Sequence, residues 1–306
     1  MAVPAGQKEQ CFVCRQSGKD FIRGAKDYFV FDGKSADFEI RYCAACAIGY
    51  SLPRMTAWEL RHYYPENYEA YVPKYFFAAF LQKLKYGSDL KFLRRFFDKK
   101  SRTLFEIGAG RGEFLSEAKK NGFDVSGLEP SPVAVRFAMD NYKINLRAGF
   151  AEDIFFTKTY DGVIARHVLE HVENPQACLV KIFKEGLKEG GVLFLKLPRL
   201  DSWEAKFFGK YWHGFDLPRH RVHFSRAGIR KMLAAAGFKD IRVRSEIVPT
   251  DILRSLRNYA RHGKFVTLRF LAALITLVPG QMMVAQFFGI LFSFMGPGRM
   301  VVTARK

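Results

Sequence analysis

The first ten residues, Met1 to Gln10, hold no apolar run behind a basic start, so neither a signal peptide nor an export route is indicated and a cytoplasmic chain is expected. Cysteine is scarce, with 5 in 306 residues. In a reducing compartment, pairs among them need an explanation other than disulfides. Acid is short as well: 30 Asp and Glu against 49 Lys and Arg leave a net charge of +19. That excess points towards phosphate-bearing partners, nucleic acid or an anionic membrane surface, and says nothing about fold. What is present is globular. With 49% hydrophobic and 26% charged residues, the chain is neither mostly disordered nor collagen-like, and its length suits one full-sized domain plus something smaller.

Four of the cysteines form two C-x-x-C knuckles, Cys11-Phe-Val-Cys14 and Cys43-Ala-Ala-Cys46, separated by 28 residues. That spacing lets two short turns present four thiolates tetrahedrally to zinc. Between them, Tyr28-Phe-Val-Phe and Phe38-Glu-Ile-Arg-Tyr alternate like short strands about Asp32-Gly33, as a zinc ribbon requires. The competing reading is two redox dithiols; a segment this small favours a metal staple. With Cys11, Cys14, Cys43 and Cys46 all committed, the site is closed and structural. Cys178 stands alone and is expected to be a buried small apolar side chain.

Downstream, Thr103-Leu-Phe-Glu-Ile-Gly-Ala-Gly-Arg-Gly-Glu-Phe-Leu reads as a buried strand, a glycine turn and a helix running to Asn121-Gly122. The next strand, Asp124-Val-Ser-Gly-Leu-Glu129, ends in an acid, where doubly wound sheets grip a ribose diol. A pyrophosphate would be repelled by Glu106 and Glu113 beside the helix N-terminus, which disfavours NAD. A ligand with a cationic near end suits Glu106-x-Gly108-x-Gly110-x-Gly112 better. Strand and helix alternate onwards through Tyr160-Asp-Gly-Val-Ile-Ala and Gly191-Val-Leu-Phe-Leu-Lys-Leu.

From about Tyr71 to the C-terminus the sequence resembles the class I S-adenosylmethionine-dependent methyltransferases. The resemblance is carried by Phe105-Glu-Ile-Gly-Ala-Gly-Arg-Gly, Gly127-Leu-Glu-Pro-Ser, Tyr160-Asp-Gly-Val-Ile-Ala-Arg-His-Val-Leu-Glu-His-Val and Leu187-Lys-Glu-Gly-Gly-Val-Leu-Phe-Leu. The Val-Leu-Glu-His-Val run is similar to that of quinone-biosynthesis O-methyltransferases. Trp212-His-Gly-Phe-Asp-Leu-Pro-Arg-His and Phe224-Ser225 resemble a bacterial subfamily associated with glycan, lipid and secondary-metabolite modification. The paired C-x-x-C module is similar to that of deoxysugar C-methyltransferases, although no counterpart of that group's additional C-terminal domain is expected here. The resemblance implies that Glu106, Gly108, Gly110 and Gly112 line the methionine end of S-adenosylmethionine, and that Ala109 and Arg166 also contact the cofactor. It implies that Glu129, beside Pro130, holds the ribose, and that adenine lies near Phe150, Ala151 and Glu152. Many relatives carry an acid where Phe150 stands, so Glu152 or the Phe150 ring takes its place.

Methyl transfer from a sulfonium asks the protein to align a nucleophile and remove its proton. Parallel sheets bind ligands beyond the carboxyl ends of their strands, which directs attention to Arg166 and His167 and to Pro198 onwards. Histidine suits base work near neutrality, and His167, His171, His213, His220 and His223 are the candidates. His171, one helical turn past His167, is expected to be a core or capping residue. His220, beside Asp216 and Arg219, is the first choice for the base; the competing reading is a plain Asp216–Arg219 ion pair fixing a loop. No Asp/Asn-Pro-Pro-Tyr run follows the fourth strand, which weighs against nucleic-acid base methylation.

Ser225 is expected to cap a helix ending near Gly237, followed by a strand from Lys239 to Val248. From Ile252 to Lys306 there are eight Lys or Arg and no acid, and Phe270 to Gly298 carries no formal charge over 29 residues. Met300 to Lys306 is expected to be the final antiparallel strand. The apolar stretch must therefore enter and leave from one face, as two short helices hinged at Pro279-Gly280. Leu253, Leu256 and Ala260 share a helical face while Arg254, Arg257 and Arg261 lie largely on another, as in a segment lying among lipid headgroups; the alternative is a lid or dimer interface. The expected fold is α/β, with a Rossmann-like sheet that is mostly parallel with its last strand antiparallel. The expected organisation is a zinc-ribbon-like module over 1–70, linking helices over 71–100, a core over 101–251 plus 299–306, and a helical insertion over 252–298. The expected activity is methylation of a hydroxyl, less readily a carbon, of a lipid-linked, glycan or polyketide-like acceptor. The alternatives are an RNA-modifying enzyme and a non-catalytic membrane-bound scaffold.

Overall fold

The structure, a computed structural model, describes residues 10–29, 36–64, 76–97, 102–277 and 280–306. It opens with β1 (Lys19–Ala25), β2 (Phe38–Cys43), β3 (Ile48–Leu52), the short α1 (Ala57–Leu60) and α2 (Phe76–Leu93). Then come β4 (Thr103–Ile107), α3 (Glu113–Lys120), β5 (Asp124–Glu129), α4 (Pro132–Tyr142), β6 (Leu146–Ala148), β7 (Tyr160–Arg166), α5 (Pro175–Lys181) and β8 (Leu187–Pro198). The chain continues through α6 (Trp203–Phe208), β9 (Val222–Phe224), α7 (Arg226–Ala235), β10 (Lys239–Glu246), α8 (Pro249–His262), α9 (Val266–Leu277), α10 (Gln281–Leu291) and β11 (Arg299–Arg305).

The larger sheet has the order β10-β11-β8-β7-β4-β5-β6, parallel through its middle with antiparallel strands at one end. This is the Rossmann-like sheet expected from the alternation of strand and helix. Its central strands are near-continuous apolar runs because both faces are covered; Leu104, Ile107, Val163, Ile164, Leu193 and Phe194 are buried. The helices start where short polar side chains meet proline or apolar periodicity. Ser131 Oγ accepts from the Ala134 N–H at 3.3 Å with Pro132 next in line, and Asn174 Oδ1 accepts from Ala177 at 3.1 Å ahead of Pro175. Ser225 caps α7 as expected: its Oγ accepts from Gly228 at 2.9 Å and donates to the Ala47 carbonyl at 2.5 Å.

The smaller sheet is antiparallel, in the order β1-β2-β3-β9. Two features differ from the sequence reading. Its first strand is Lys19–Ala25, whereas Tyr28, expected to open that strand, lies in a bend; residues 30 and 31 and the Asp32-Gly33 turn lie outside the described residues. β1 pairs with β2 through two register irregularities, so strict alternation, the signal used to find it, is broken there. The fourth strand, β9, comes from far along the chain, with Gly49 opposite His223.

The chain divides into two compact units. The first comprises residues 1–63, 197–232 and 243–301, and the second 64–196, 233–242 and 302–306. The first unit has a core of Phe38, Ile40, Trp203, Phe208, Trp212, Phe215, Ile252 and Leu253. Thus the residues after β8, together with α8, pack on the cysteine-bearing sheet. The 70/71 boundary and Pro279 lie outside the described residues.

Candidate functional site

In the second unit, β4 ends in a bend that only glycine fills. Gly108 and Gly110 have φ of +66° and +55°, and a Cβ on Gly108 would come within 2.5 Å of Val168 Cγ2. The backbone N–H groups of Gly108 and Ala109 both donate to the Leu128 carbonyl, at 2.8 and 3.0 Å, which locks the bend to the end of β5. At that end the Glu129 carboxylate accepts from Gly110 N–H at 2.8 Å and from Ser131 N–H at 2.9 Å. Burial pushes its pKa up, and these two donors oppose the shift.

Glu106, on β4, has no exposed surface. Its Oε1 accepts from Arg166 Nε at 2.8 Å and Nη2 at 2.6 Å, while its Oε2 has no hydrogen-bond partner. The Arg166 guanidinium lies over the rings of Tyr86 and Phe114, 4.7 and 4.3 Å from their centroids, and the two rings meet edge to face. Burial drives the Glu106 carboxyl up to about 7 despite Arg166, and Glu113 and Glu129 add like charge. A buried carboxylate with an unused oxygen fits a ligand whose near end is cationic. Further round, Phe150 is an exposed ring on extended backbone, Ala151 is buried, and the exposed Glu152 accepts from the Glu173 N–H at 3.1 Å. Pro130 follows Glu129 directly and leads into α4.

The histidines separate by their partners. His167, at the carboxyl end of β7, is exposed on left-handed backbone (φ +59°), with Nδ1 3.5 Å from Glu170. The run from His167 to His171 is a turn, so the helical spacing expected there is absent: helix α5 starts only at Pro175, where Asn174 supplies a cap. His171 is half-buried, 3.1 Å from the Tyr64 hydroxyl. In the first unit, His223 is buried beside Ser51 Oγ at 2.9 Å. Because that hydroxyl donates to the His220 carbonyl at 2.7 Å, the His223 Nε2–H must donate to it. Burial holds its pKa down at about 3, so it is a neutral structural residue. His213 Nε2 lies 3.2 Å from Arg254 Nη1, which can only donate, and burial lowers its pKa too.

Asp216, Arg219 and His220 do come together in the first unit. Arg219 donates to Asp216 at 2.6 to 3.1 Å and to the Tyr63 carbonyl at 2.8 Å. It also forms a two-pronged bond to Asp27 at 2.8 and 3.0 Å, a partner absent from the sequence reading because 192 residues separate the two. Arg219 and Asp27 are buried, and Arg219 holds the Asp216 carboxyl far below the usual carboxylate range. The His220 ring is buried; its Nδ1 lies 2.9 Å from the Gly214 carbonyl, so Nδ1 carries the proton of the neutral ring and Nε2, 3.9 Å from Asp216, is the nitrogen able to accept one.

The sulfurs of Cys11, Cys14, Cys43 and Cys46 lie within 4.8 Å of one another, with Cys14 and Cys43 Sγ 3.5 Å apart. Four thiols at such distances are a donor set for a metal ion. Burial pushes the Cys11 and Cys46 thiols up, a shift that a bound cation would reverse. Cys178 is buried on α5, its thiol pushed up to about 12 by burial.

A family profile described as Methyltransferase domain matches residues 77–243. A ubiquinone biosynthesis O-methyltransferase from Xanthomonas oryzae pv. oryzae is 26% identical over 180 residues, covering 55% of this chain and 74% of its own length. An uncharacterized methyltransferase from Alkaliphilus oremlandii is 33% identical over 76 residues, 24% of this chain and only 35% of that relative's length. The crystal structure of a SAM-dependent methyltransferase from Archaeoglobus fulgidus matches with a TM-score of 0.49 at 18% identity, covering 74% of this chain and 94% of that one.

Removing Arg219 strands two carboxylates, one of them fully buried. Arg219→Ala is expected to cost about 3–5 kcal/mol in urea denaturation, and Arg219→Lys to recover only part of it because an ammonium cannot reproduce the fork. A loss below about 1 kcal/mol would show that the cluster does not support the fold.

Proposed function

Because this chain belongs to the methyltransferase domain family and is an S-adenosylmethionine-dependent class I enzyme, we propose that it methylates a hydroxyl, less readily a carbon, of a lipid-linked, glycan or polyketide-like small molecule. The observation that carries the cofactor half of this reading is the buried Glu106 carboxylate with its unpartnered Oε2 at the glycine bend. When bound there, S-adenosylmethionine supplies an electrophilic methyl group on a sulfonium. Glu106, with Gly108, Ala109, Gly110, Gly112 and Arg166 around it, would hold the cationic methionine end. Glu129 would accept from the ribose hydroxyls, and Phe150, Ala151 and Glu152 would flank the adenine. Oxygen as the acceptor atom is supported by relatives named as O-methyltransferases.

The acceptor's proton goes to His220 in this reading. Its tautomer leaves Nε2 as the basic nitrogen, and the Asp216 carboxylate nearby favours the imidazolium that forms. His167 is the second candidate. We assign the four-cysteine cluster to structural zinc, since four thiolates leave no open position for a substrate.

Four measurements test the reading. Cofactor binding needs Glu106 ionised, so with its pKa at about 7 the affinity should rise with pH and be about tenfold weaker at about pH 6 than at its alkaline plateau. Calorimetry should show Glu106→Gln weaker and pH-independent; a wild-type affinity flat across this range removes the assignment. His220→Ala should lower kcat by about 100-fold or more with cofactor affinity unchanged, followed by mass spectrometry of extracts supplied with methyl-labelled cofactor. Label appearing in RNA instead of an organic-soluble small molecule would overturn the acceptor class. Elemental analysis should find one zinc per chain, and Cys43→Ser should lose it and unfold β2 and β3 first; metal-free wild-type protein with unchanged stability would return the cysteines to a redox role.

A further inference from the structure

The hairpin α9–α10 is built with its small residues inward and its large ones outward. Ala272 and Ala285 are buried, and Gly289 packs so closely that a Cβ there would lie 2.5 Å from Ile247 Cγ2. Phe270, Leu271, Leu274, Phe287 and Ile290 are exposed, as are Met283 at 78% and Phe294 at 82%. A helix that belongs to a water-facing surface shows the opposite pattern. An apolar surface of this extent calls for an apolar neighbour.

The surrounding charge identifies that neighbour. Arg257 and Arg261 on the last turns of α8, Lys264 in the link that follows and Arg269 at the start of α9 are exposed. Arg257 reaches Gln281 at the start of α10 at 3.3 Å, and Arg269 donates to the Ala260 carbonyl at 2.9 Å, so both lie at the root of the hairpin. No acid occurs anywhere from Ile252 to Lys306. The helices have 12 and 11 residues and meet at 114°. At 1.5 Å per residue each is about 16–18 Å long, against a hydrocarbon core of about 30 Å, so neither spans it and both can lie along its boundary. On the same face, Pro249, Met282, Met283, Gln286, Phe287 and Ile290 line an open groove of about 410 Å³.

We propose that this hairpin docks the protein on an anionic lipid bilayer, its outward apolar side chains in the headgroup–acyl boundary and its basic root at the phosphates. The inference stands on the first unit alone and is independent of the methyl acceptor. Each basic residue at such a surface is worth about fivefold in partition.

The test is sedimentation of purified full-length protein with vesicles of phosphatidylcholine, with and without phosphatidylglycerol. Binding is expected only with phosphatidylglycerol, weakening as salt rises. Phe287→Ser with Phe294→Ser should reduce it at least tenfold, and Arg257→Glu with Arg261→Glu by about 25-fold or more; circular dichroism should show both variants folded. Protein that stays in the supernatant overturns the proposal. Equal binding to pure phosphatidylcholine overturns the anionic requirement. Light scattering that finds a dimer, made monomeric by the serine variant, makes a second copy the occupant and also overturns it. Retention on RNA without sedimentation does the same.

Discussion

Glu106 places an acid near the end of a parallel strand whose faces are covered, and there ionisation and burial oppose each other. Arg166 settles the conflict halfway: it neutralises one oxygen and leaves the other unused. Desolvation still dominates, which is why the carboxyl stands at about 7. Arg166 in turn keeps its place through the Tyr86 and Phe114 rings, so α2 and α3 are drawn into the definition of the bend. The left-handed glycines complete it, because a side chain at Gly108 would collide with Val168.

The first unit depends on a comparable arrangement of opposite sign. There a buried guanidinium is the centre, and Asp27, Asp216 and the Tyr63 carbonyl surround it. It ties the connection after β1 to the loop before β9, and β9 closes the cysteine-bearing sheet. The Asp216–Arg219 pair thus fixes the loop that carries His220, and within that loop the Gly214 carbonyl sets the His220 tautomer.

Much of this was legible in the residues. Alternating strand and helix patterns, the glycine bend, the acid closing β5 and the serine cap of α7 each rest on local stereochemistry, and each lies where its pattern places it. The two cysteine pairs also converge, since each knuckle is a local turn and the β1–β2 pair joins them. Misreadings occurred where local pattern is a poor guide. The irregular register of β1 hid it, and an apolar run with two histidines passed for a helix although its backbone takes a left-handed turn at His167.

Local spacing and residue type by themselves determined the class of sheet, the order of its elements, the glycine bend and the cysteine donor set, because those features require only neighbours along the chain or a repeating pattern. Tertiary structure decided which of the five candidate histidines are neutral fixtures, which oxygen of Glu106 is left without a partner, that Asp27 lies against Arg219, and that α9 and α10 turn their large side chains outward. These depend on contacts between residues far apart in the chain and on exclusion of water, and neither is encoded at any single position.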